Sequence, residues 1–286
     1  MRLITFIHDG REQIGVRQGD VVIPVAAIDP KLPGSIMQLL TDGRLGELQS
    51  KASNLDGAGI ALHDIAYLPL IPRPGKIICI GRNYAAHAAE GGAETPTFPE
   101  VFFRGATSLI PHRGTIVCPQ CSDTLDFEGE FAFVVSKSCR HATEDDALDY
   151  IAGYTLFNYA TIREYQRFSS QWTVGKNFDN TGAFGPELVT TDELPDGMAG
   201  LSLTTRLNGE LMQDGQIDHL VFPVRKLVAM LSECMTLEPG DVVVTGTPAG
   251  VGYARTPPLW MKHGDTVEIE IEGLGRLINA VQDEVR

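Results

Sequence analysis

The segment DFEGEFAFVV, residues 126–135, carries three acids that run directly into an apolar strand. In an extended chain alternate residues share a face. Phe127, Phe131, Phe133 and Val135 therefore point one way, and Asp126, Glu128 and Glu130 point the other, followed by Ala132 and Val134. Three carboxylates on one face of a strand that is apolar on both sides further along are costly without a counter-charge. Like charges this close also raise each other's pKa. Two readings fit the segment by itself: a solvated strand face, or a site where hard oxygen ligands hold magnesium, calcium or manganese. Gly129 leaves room beside the carboxylates, which favours the site.

Upstream, IICIG (77–81) reads as a buried strand, and YAAHAAE before Gly91-Gly92 reads as a short helix. LPLIPRPGK (68–76) is rich in proline and reads as a linker, which places a boundary between a small N-terminal domain, 1–72, and a larger one, 73–286. Within the first, RLITFIH and GDVVIPV read as strands about a turn at HDGREQ. SIMQLLTD, capped by Ser35, and RLGELQSKASN read as helices. Downstream, TEDDALDYIAGY has Thr143 as a cap and acids in its first turn, and predicts a helix, with a further helix or turn over 160–168. LSLTTRLNGELMQ predicts a hairpin about Asn208-Gly209, and VRKLVAMLSECM an amphipathic helix. GDVVVTGTP and GDTVEIEIEGLGRLINAV predict strands. The sum is a β-rich mixed α+β fold.

The 286 residues, 43% apolar and 21% charged, are enough for a sizeable core. A net charge of -14 argues against nucleic acid and anionic membrane surfaces as partners. It leaves small anionic substrates open, because a few local cations can invert the field in one pocket. Five cysteines without a dense pattern read as reduced thiols. Cys118 and Cys121 form a C-x-x-C pair with no second pair at zinc spacing, so packing or chance is the better reading. MRLITFIHDG is too short in apolar length for a signal peptide, and no run approaches the ~18 residues of a membrane span. The cytoplasm is the expected compartment.

His87 and Glu90 stand at i, i+3 on the short helix, where a carboxylate can orient the ring and raise its basicity. A solvated surface pair is the plainer reading; a general acid–base is the other. Arg82, Arg104, Arg163, Lys176 and Arg255 are candidates for carboxylate recognition, each with ordinary surface charge as its alternative. TGTPAGVG (245–252) lacks the Lys-Ser/Thr of a phosphate loop and reads as a tight turn bringing backbone N–H groups and Thr247 near a pocket.

Taken in order, IGRNYAAHAAE, DFEGEFAFVV, IAGYTLFN, REYQ, QWTVGKNFD, GPELVTTDEL, LNGELMQDGQ, MTLEPGDVVVTGTPAGVG and GDTVEIEIEGLGRLIN resemble the fumarylacetoacetate hydrolase family over roughly residues 73–282. The resemblance implies a rolled-up β-sheet catalytic domain of that type behind a small N-terminal domain, usually in a homodimer. It implies acid–base chemistry on small anionic 2-oxo or 1,3-dicarbonyl acids, assisted by magnesium or manganese. Carried over by position, Glu128 and Glu130 match the metal-binding pair. His87 and Glu90 match the dyad that handles water or a substrate proton. Lys176 matches the lysine that polarises a substrate carbonyl. Arg163, Gln166 and Thr247 match positions lining the substrate site.

One departure stands out. The family places an aspartate, its third metal ligand, where this chain has Tyr159 in Asn158-Tyr159-Ala160-Thr161-Ile162-Arg163-Glu164. A neutral phenol is a poor magnesium ligand. Asp126 or Asn158 substitutes, the metal binds weakly with more water, or the site works without metal. The activity that the resemblance implies is C–C hydrolysis of an acylpyruvate or fumarylacetoacetate-type acid first. Keto–enol isomerisation or decarboxylation of a related diacid in aromatic catabolism comes next, and a homologue that binds a small acid without turnover last.

Overall fold

The structure is a computed structural model and describes residues 1–53, 55 and 59–285. Its strands are β1 (Arg2–His8), β2 (Arg11–Gln18), β3 (Val21–Pro24), β4 (Ile77–Gly81), β5 (Glu100–Phe103), β6 (Thr115–Cys118), β7 (Gly129–Val135), β8 (Ile151–Tyr159), β9 (Gly182–Thr190), β10 (Ser202–Leu207), β11 (Glu210–Gln216), β12 (Val242–Val244), β13 (Thr266–Ile271) and β14 (Gly275–Asp283). Several two-residue strands complete the sheets. The main helices are α1 (Ile36–Thr41), α2 (Leu45–Ala52), α3 (Ala85–Glu90), α4 (Arg163–Arg167) and α5 (Val224–Cys234).

One large sheet runs in the order β3-β2-β1-β9-β8-β7-β12-β4-β5, and a second in the order β11-β10-β13-β14-β6. β7 lies between β8 and β12, antiparallel to both, and all of its residues are buried. Its two faces are apolar for the reason given by its alternation. Phe131, Phe133 and Val135 enter the core that fills the space under the second sheet. Ala132 and Val134 enter a second core with α1, α2, Leu70, Ile71, Phe157 and Tyr159. The fold is thus β-rich and mixed, as the patterning predicts.

The N-terminal strands are continuous with this sheet, because β1 pairs with β9 through Arg2–Val189 and Leu3–Leu188. Residues 68–76 form no regular element, and Leu70 and Ile71 within them are packed into the second core. Ser35 caps α1 by accepting from the Gln38 N–H. Of the predicted RLGELQSKASN helix, Leu45–Ala52 is helical, and Asn54 lies outside the described residues. The predicted hairpin is β10–β11, with Asn208 and Gly209 both at positive φ (52° and 83°), as a tight turn of this kind requires. α5 buries Val224, Leu227, Val228 and Leu231 on one face.

TEDDALDYIAGY is not an α-helix. Thr143 and Asp146 close a turn by mutual hydrogen bonds, Ala147–Tyr150 makes a single 3₁₀ turn, and Ile151 begins β8. β8 has partners on both sides, β7 and β9, and that ladder overrides the local helical signal.

Candidate active site

The N-terminal end of β7 brings Glu128 and Glu130 to the wall of a cavity of about 180 Å³. Lining it with them are His87, Arg163, Gln166, Lys176 and Thr247, together with Arg82, Arg167, Trp172 and Tyr253. Seven stretches of sequence therefore converge on one pocket: β4–α3, β5, β7, α4, the loop 168–177, and the turns at 246–247 and 252–254.

The three acids are each neutralised differently. Asp126, fully buried, pairs with the Arg163 Nε at 2.7 Å and accepts backbone N–H bonds from Gly252 (2.7 Å) and Tyr253 (3.1 Å). Burial still holds its pKa above the ordinary value, against the pull of Arg163. Glu128 sits between Arg163 Nη2 at 2.8 Å and the Lys176 ammonium, and accepts from the Thr161 hydroxyl at 2.9 Å. Burial opposes its ionisation, but Arg163 and Lys176 prevail and hold it at about 2. Glu130 accepts from the Gly246 N–H at 2.6 Å. Burial, then the neighbouring Glu128, push it up to about 8. Gly246 has φ +101°, and a Cβ there would lie 2.8 Å from that of Asn83, so only glycine presents its N–H here.

The dyad is formed. His87 Nδ1 lies 2.7 Å from Glu90 Oε1, and Glu90 Oε2 accepts from the Gly250 N–H at 2.9 Å. A carboxylate acceptor assigns the proton to Nδ1 in the neutral ring and leaves the Nε2 lone pair free for proton transfer. Glu90 stands behind His87 and does not line the cavity. Burial pulls Lys176 below the ordinary lysine value, while Glu128 pulls it back toward the charged form.

Other candidates have different duties. Thr247 lines the cavity, but its hydroxyl donates to the Gly129 carbonyl (2.9 Å) and accepts from Gln213 (2.8 Å). Gln166 accepts from Arg163 Nη1 at 3.0 Å. Arg82 pairs with Glu100, and Arg255 binds the Met212 and Gly250 carbonyls away from the cavity. Arg104 is buried, and its guanidinium lies 4.3 Å from the Tyr159 ring centroid. Sequence reasoning passed over Trp172, Tyr253 and Arg167. Arg163 and Arg167 both stack on Tyr253 (4.4 and 4.9 Å), and Arg82 stacks on Trp172 (5.6 Å). The signal for Trp172 was its place in QWTVGK near Lys176; aromatic rings facing arginines 86 or 90 positions away leave none.

A profile of the C-terminal region of fumarylacetoacetate hydrolase matches residues 76–282. The chain belongs to the fumarylacetoacetate hydrolase family. It is 36% identical to the mitochondrial oxaloacetate tautomerase Fahd2a of Rattus norvegicus over 287 residues, covering 98% of this chain and 91% of that one. Fumarylacetoacetate hydrolase from Exiguobacterium antarcticum superposes with a TM-score of 0.84 at 31% identity, covering 99% of this chain and 100% of that one. Maleylpyruvate hydrolase from Sphingobium sp. SYK-6, solved with manganese(II) and pyruvate, superposes with a TM-score of 0.82 at 26% identity over the whole of both chains.

Divalent metal therefore occurs in the fumarylacetoacetate hydrolase family. The donors of this chain do not fit such a site. Among the described residues no three His, Cys, Asp or Glu side chains are grouped so as to hold a metal ion. Tyr159, where the third carboxylate was expected, is fully buried and kept neutral by that burial. Its hydroxyl donates to the Lys176 carbonyl at 3.3 Å and accepts from the Cys79 thiol at 3.6 Å. Asn158 finds no acceptor for its amide nitrogen among the described residues, and its Oδ1 is taken by the Glu128 N–H at 3.3 Å, so that oxygen is not free to replace the missing ligand. No helix among the described residues is long and apolar enough to cross a membrane.

Proposed function

We propose that the chain catalyses keto–enol tautomerisation of a small 2-oxo dicarboxylic acid of the oxaloacetate class. The observation that carries this reading is the placement of one free histidine nitrogen, backed by Glu90, in the same cavity as the Lys176 ammonium. Tautomerisation needs a proton carrier and a stabiliser for the enolate oxygen, and no positioned water. The likeness to oxaloacetate tautomerases over nearly the whole chain supports the same choice.

In this mechanism a Lys176 N–H donates to the 2-oxo oxygen and draws charge towards it. His87 Nε2 takes a proton from C3, and Glu90 stabilises the imidazolium that forms. The proton returns from His87 to the enolate oxygen to give the enol. Arg167, at the cavity wall against Tyr253, is the cation that meets a substrate carboxylate, while Arg82 is held by Glu100. No step runs through magnesium, manganese or calcium.

The test is exchange of the C3 protons of oxaloacetate in D2O, followed by NMR. Wild type accelerates it above buffer, and His87→Asn loses about 10²–10⁴-fold, the usual reach of one general acid–base group. No acceleration by wild type, or an unimpaired His87→Asn, sinks the proposal. C–C hydrolysis is the second reading, supported by the likeness to maleylpyruvate hydrolase, and pyruvate release from acylpyruvates measures it. Decarboxylation of oxaloacetate is read in the same assay as pyruvate with carbon dioxide. Binding of the acid without any turnover returns the non-catalytic reading. The homodimer is carried over from the family alone, and the cytoplasm rests on five free cysteines that suit a reducing compartment.

A further inference from the structure

We infer that this chain handles its 2-oxo acid without a divalent cation, the Lys176 ammonium supplying the charge and Tyr159 closing the position a third metal ligand would need. The inference deepens the function proposed above and rests on it only for the identity of the acid.

The oxygens of the Glu128–Glu130 pair are mostly in use. Glu128 Oε1 faces Arg163, and Glu128 Oε2 takes both Lys176 and the Thr161 hydroxyl. Glu130 Oε2 takes the Gly246 N–H, which leaves Glu130 Oε1 as the oxygen of the pair without a hydrogen-bond or ion-pair partner among the described residues. Magnesium and manganese favour six oxygens with anionic donors among them. A single carboxylate oxygen beside a phenol is a weak offer.

Charge points the same way. Asp126 and Glu128 are balanced by Arg163 and Lys176, at hydrogen-bonding distance and almost without solvent. A divalent ion seated on Glu128 would stand within a few ångströms of two fixed cations and would have to displace one of them. The Tyr159 ring lies 4.6 Å from Lys176 Nζ and 4.3 Å from the Arg104 guanidinium. A neutral electron-rich ring between two cations is a favourable neighbour for both. Its hydroxyl is anchored at the Lys176 carbonyl, so the side chain cannot swing aside without releasing the segment that carries the lysine.

The experiment is a manganese(II) titration of the purified full chain by calorimetry and EPR, with metal content by mass spectrometry and oxaloacetate exchange in EDTA run alongside. Wild type should carry no stoichiometric metal, bind manganese more weakly than about 1 mM, and keep its activity in EDTA. Tyr159→Asp should tighten manganese binding by about 100-fold, and Tyr159→Phe should leave it unchanged. About one ion per wild-type chain, a Kd tighter than about 1 mM, or activity lost in EDTA and restored by manganese overturns the inference while leaving the tautomerase reading intact. A folded Tyr159→Asp with no gain in affinity overturns the role given to Tyr159. If that variant does not fold, the wild-type titration and the EDTA arm still decide. Absence of turnover with and without manganese counts against the proposed function alone, since the titration needs no substrate.

Discussion

Gly129 separates the two glutamates, and alanine there is the sharpest single test of how the site is held. The sequence reading gave this glycine the task of leaving room in the pocket. In the structure its missing Cβ points the other way, into the interface between β7 and β10. A Cβ at 129 would fall well inside the 3.0 Å that real Cβ atoms keep from Thr205 Oγ1, with Leu203 Cδ2 at 3.2 Å and Gln213 Oε1 at 3.3 Å. The sheets must part by about 1 Å or more, an overpacking strain of about 1–3 kcal/mol. For a chain of this size that is a fall of roughly 2–5 °C in Tm. Because the 129 N–H and C=O are tied to Gln213 and Thr247, the strand moves with its glutamates. A displacement near 1 Å costs about 100-fold in turnover. Thr205 Oγ1 is buried without a hydrogen-bond partner among the described residues, so Thr205→Ala removes the colliding atom and breaks none of their hydrogen bonds. Thermal unfolding by circular dichroism and the proton-exchange assay should show Gly129→Ala impaired in both. Gly129→Ala/Thr205→Ala should recover about 1–2 kcal/mol of coupling and most of the activity. A Gly129→Ala chain with wild-type Tm and activity, or a double variant no better than Gly129→Ala, refutes the packing argument.

Two further outcomes test the frame around the site. His112 is buried, and that burial, then Arg113 and Arg17, push it down to about 4. Its folded pKa thus lies below the unfolded 6.5, so its share of stability is present above pH 6.5 and lost as pH falls towards 4. The loss amounts to about 3 kcal/mol. Urea unfolding at several pH values should show this slope in wild type and a flatter one in His112→Asn; parallel slopes would remove His112 from the account. Asn83 donates to the Phe222 and Thr245 carbonyls and accepts from the Phe222 N–H, locking the β4–α3 turn to the strand that leads into TGTP. Asn83→Ala leaves three buried backbone groups unpaired and should destabilise by about 2–4 kcal/mol in the same unfolding assay. A change below about 0.5 kcal/mol would mean that water replaces the amide.

Much of this site was legible because it is written in local order. The alternation in DFEGEFAFVV sets Glu128 and Glu130 on the face that lines the cavity, and the i, i+3 spacing of His87 and Glu90 fixes their contact. Asn208-Gly209 fixes a hairpin. Each needs only the geometry of one element. What was missed depends on partners far away in the chain. TEDDALDYIAGY has the local marks of a helix, and only the strands at 129–135 and 182–190 make Ile151–Tyr159 a strand. Arg163 matched a substrate-lining position, yet its guanidinium is engaged by Asp126 and Glu128, 37 residues or so upstream. Gly129 was read for the wrong side because the obstacle, Thr205, belongs to the other sheet.

The same long-range pairing explains how three acids in a row can be tolerated and still be useful. Each is met by a different set of groups: Asp126 by Arg163 and the turn at 252–253, Glu128 by the same Arg163 and Lys176, and Glu130 by Gly246. None of these donors exists until β7, α4 and the TGTP turn have assembled, so the charge arrangement is a product of the fold and not of the strand. It also leaves room for substrate. Lys176 has three N–H donors and places its ammonium against Glu128 with one carboxylate oxygen as partner. An incoming 2-oxo oxygen can take a second donor without breaking that ion pair. Glu128 then remains ionised and keeps Lys176 charged at the moment the enolate forms. Removing the carboxylate should therefore harm the lysine's function more than its position. Glu128→Gln should bind the acid but turn it over poorly, lowering kcat with little change in KM. A variant in which KM rises and kcat stands would show instead that Glu128 only shapes the cavity.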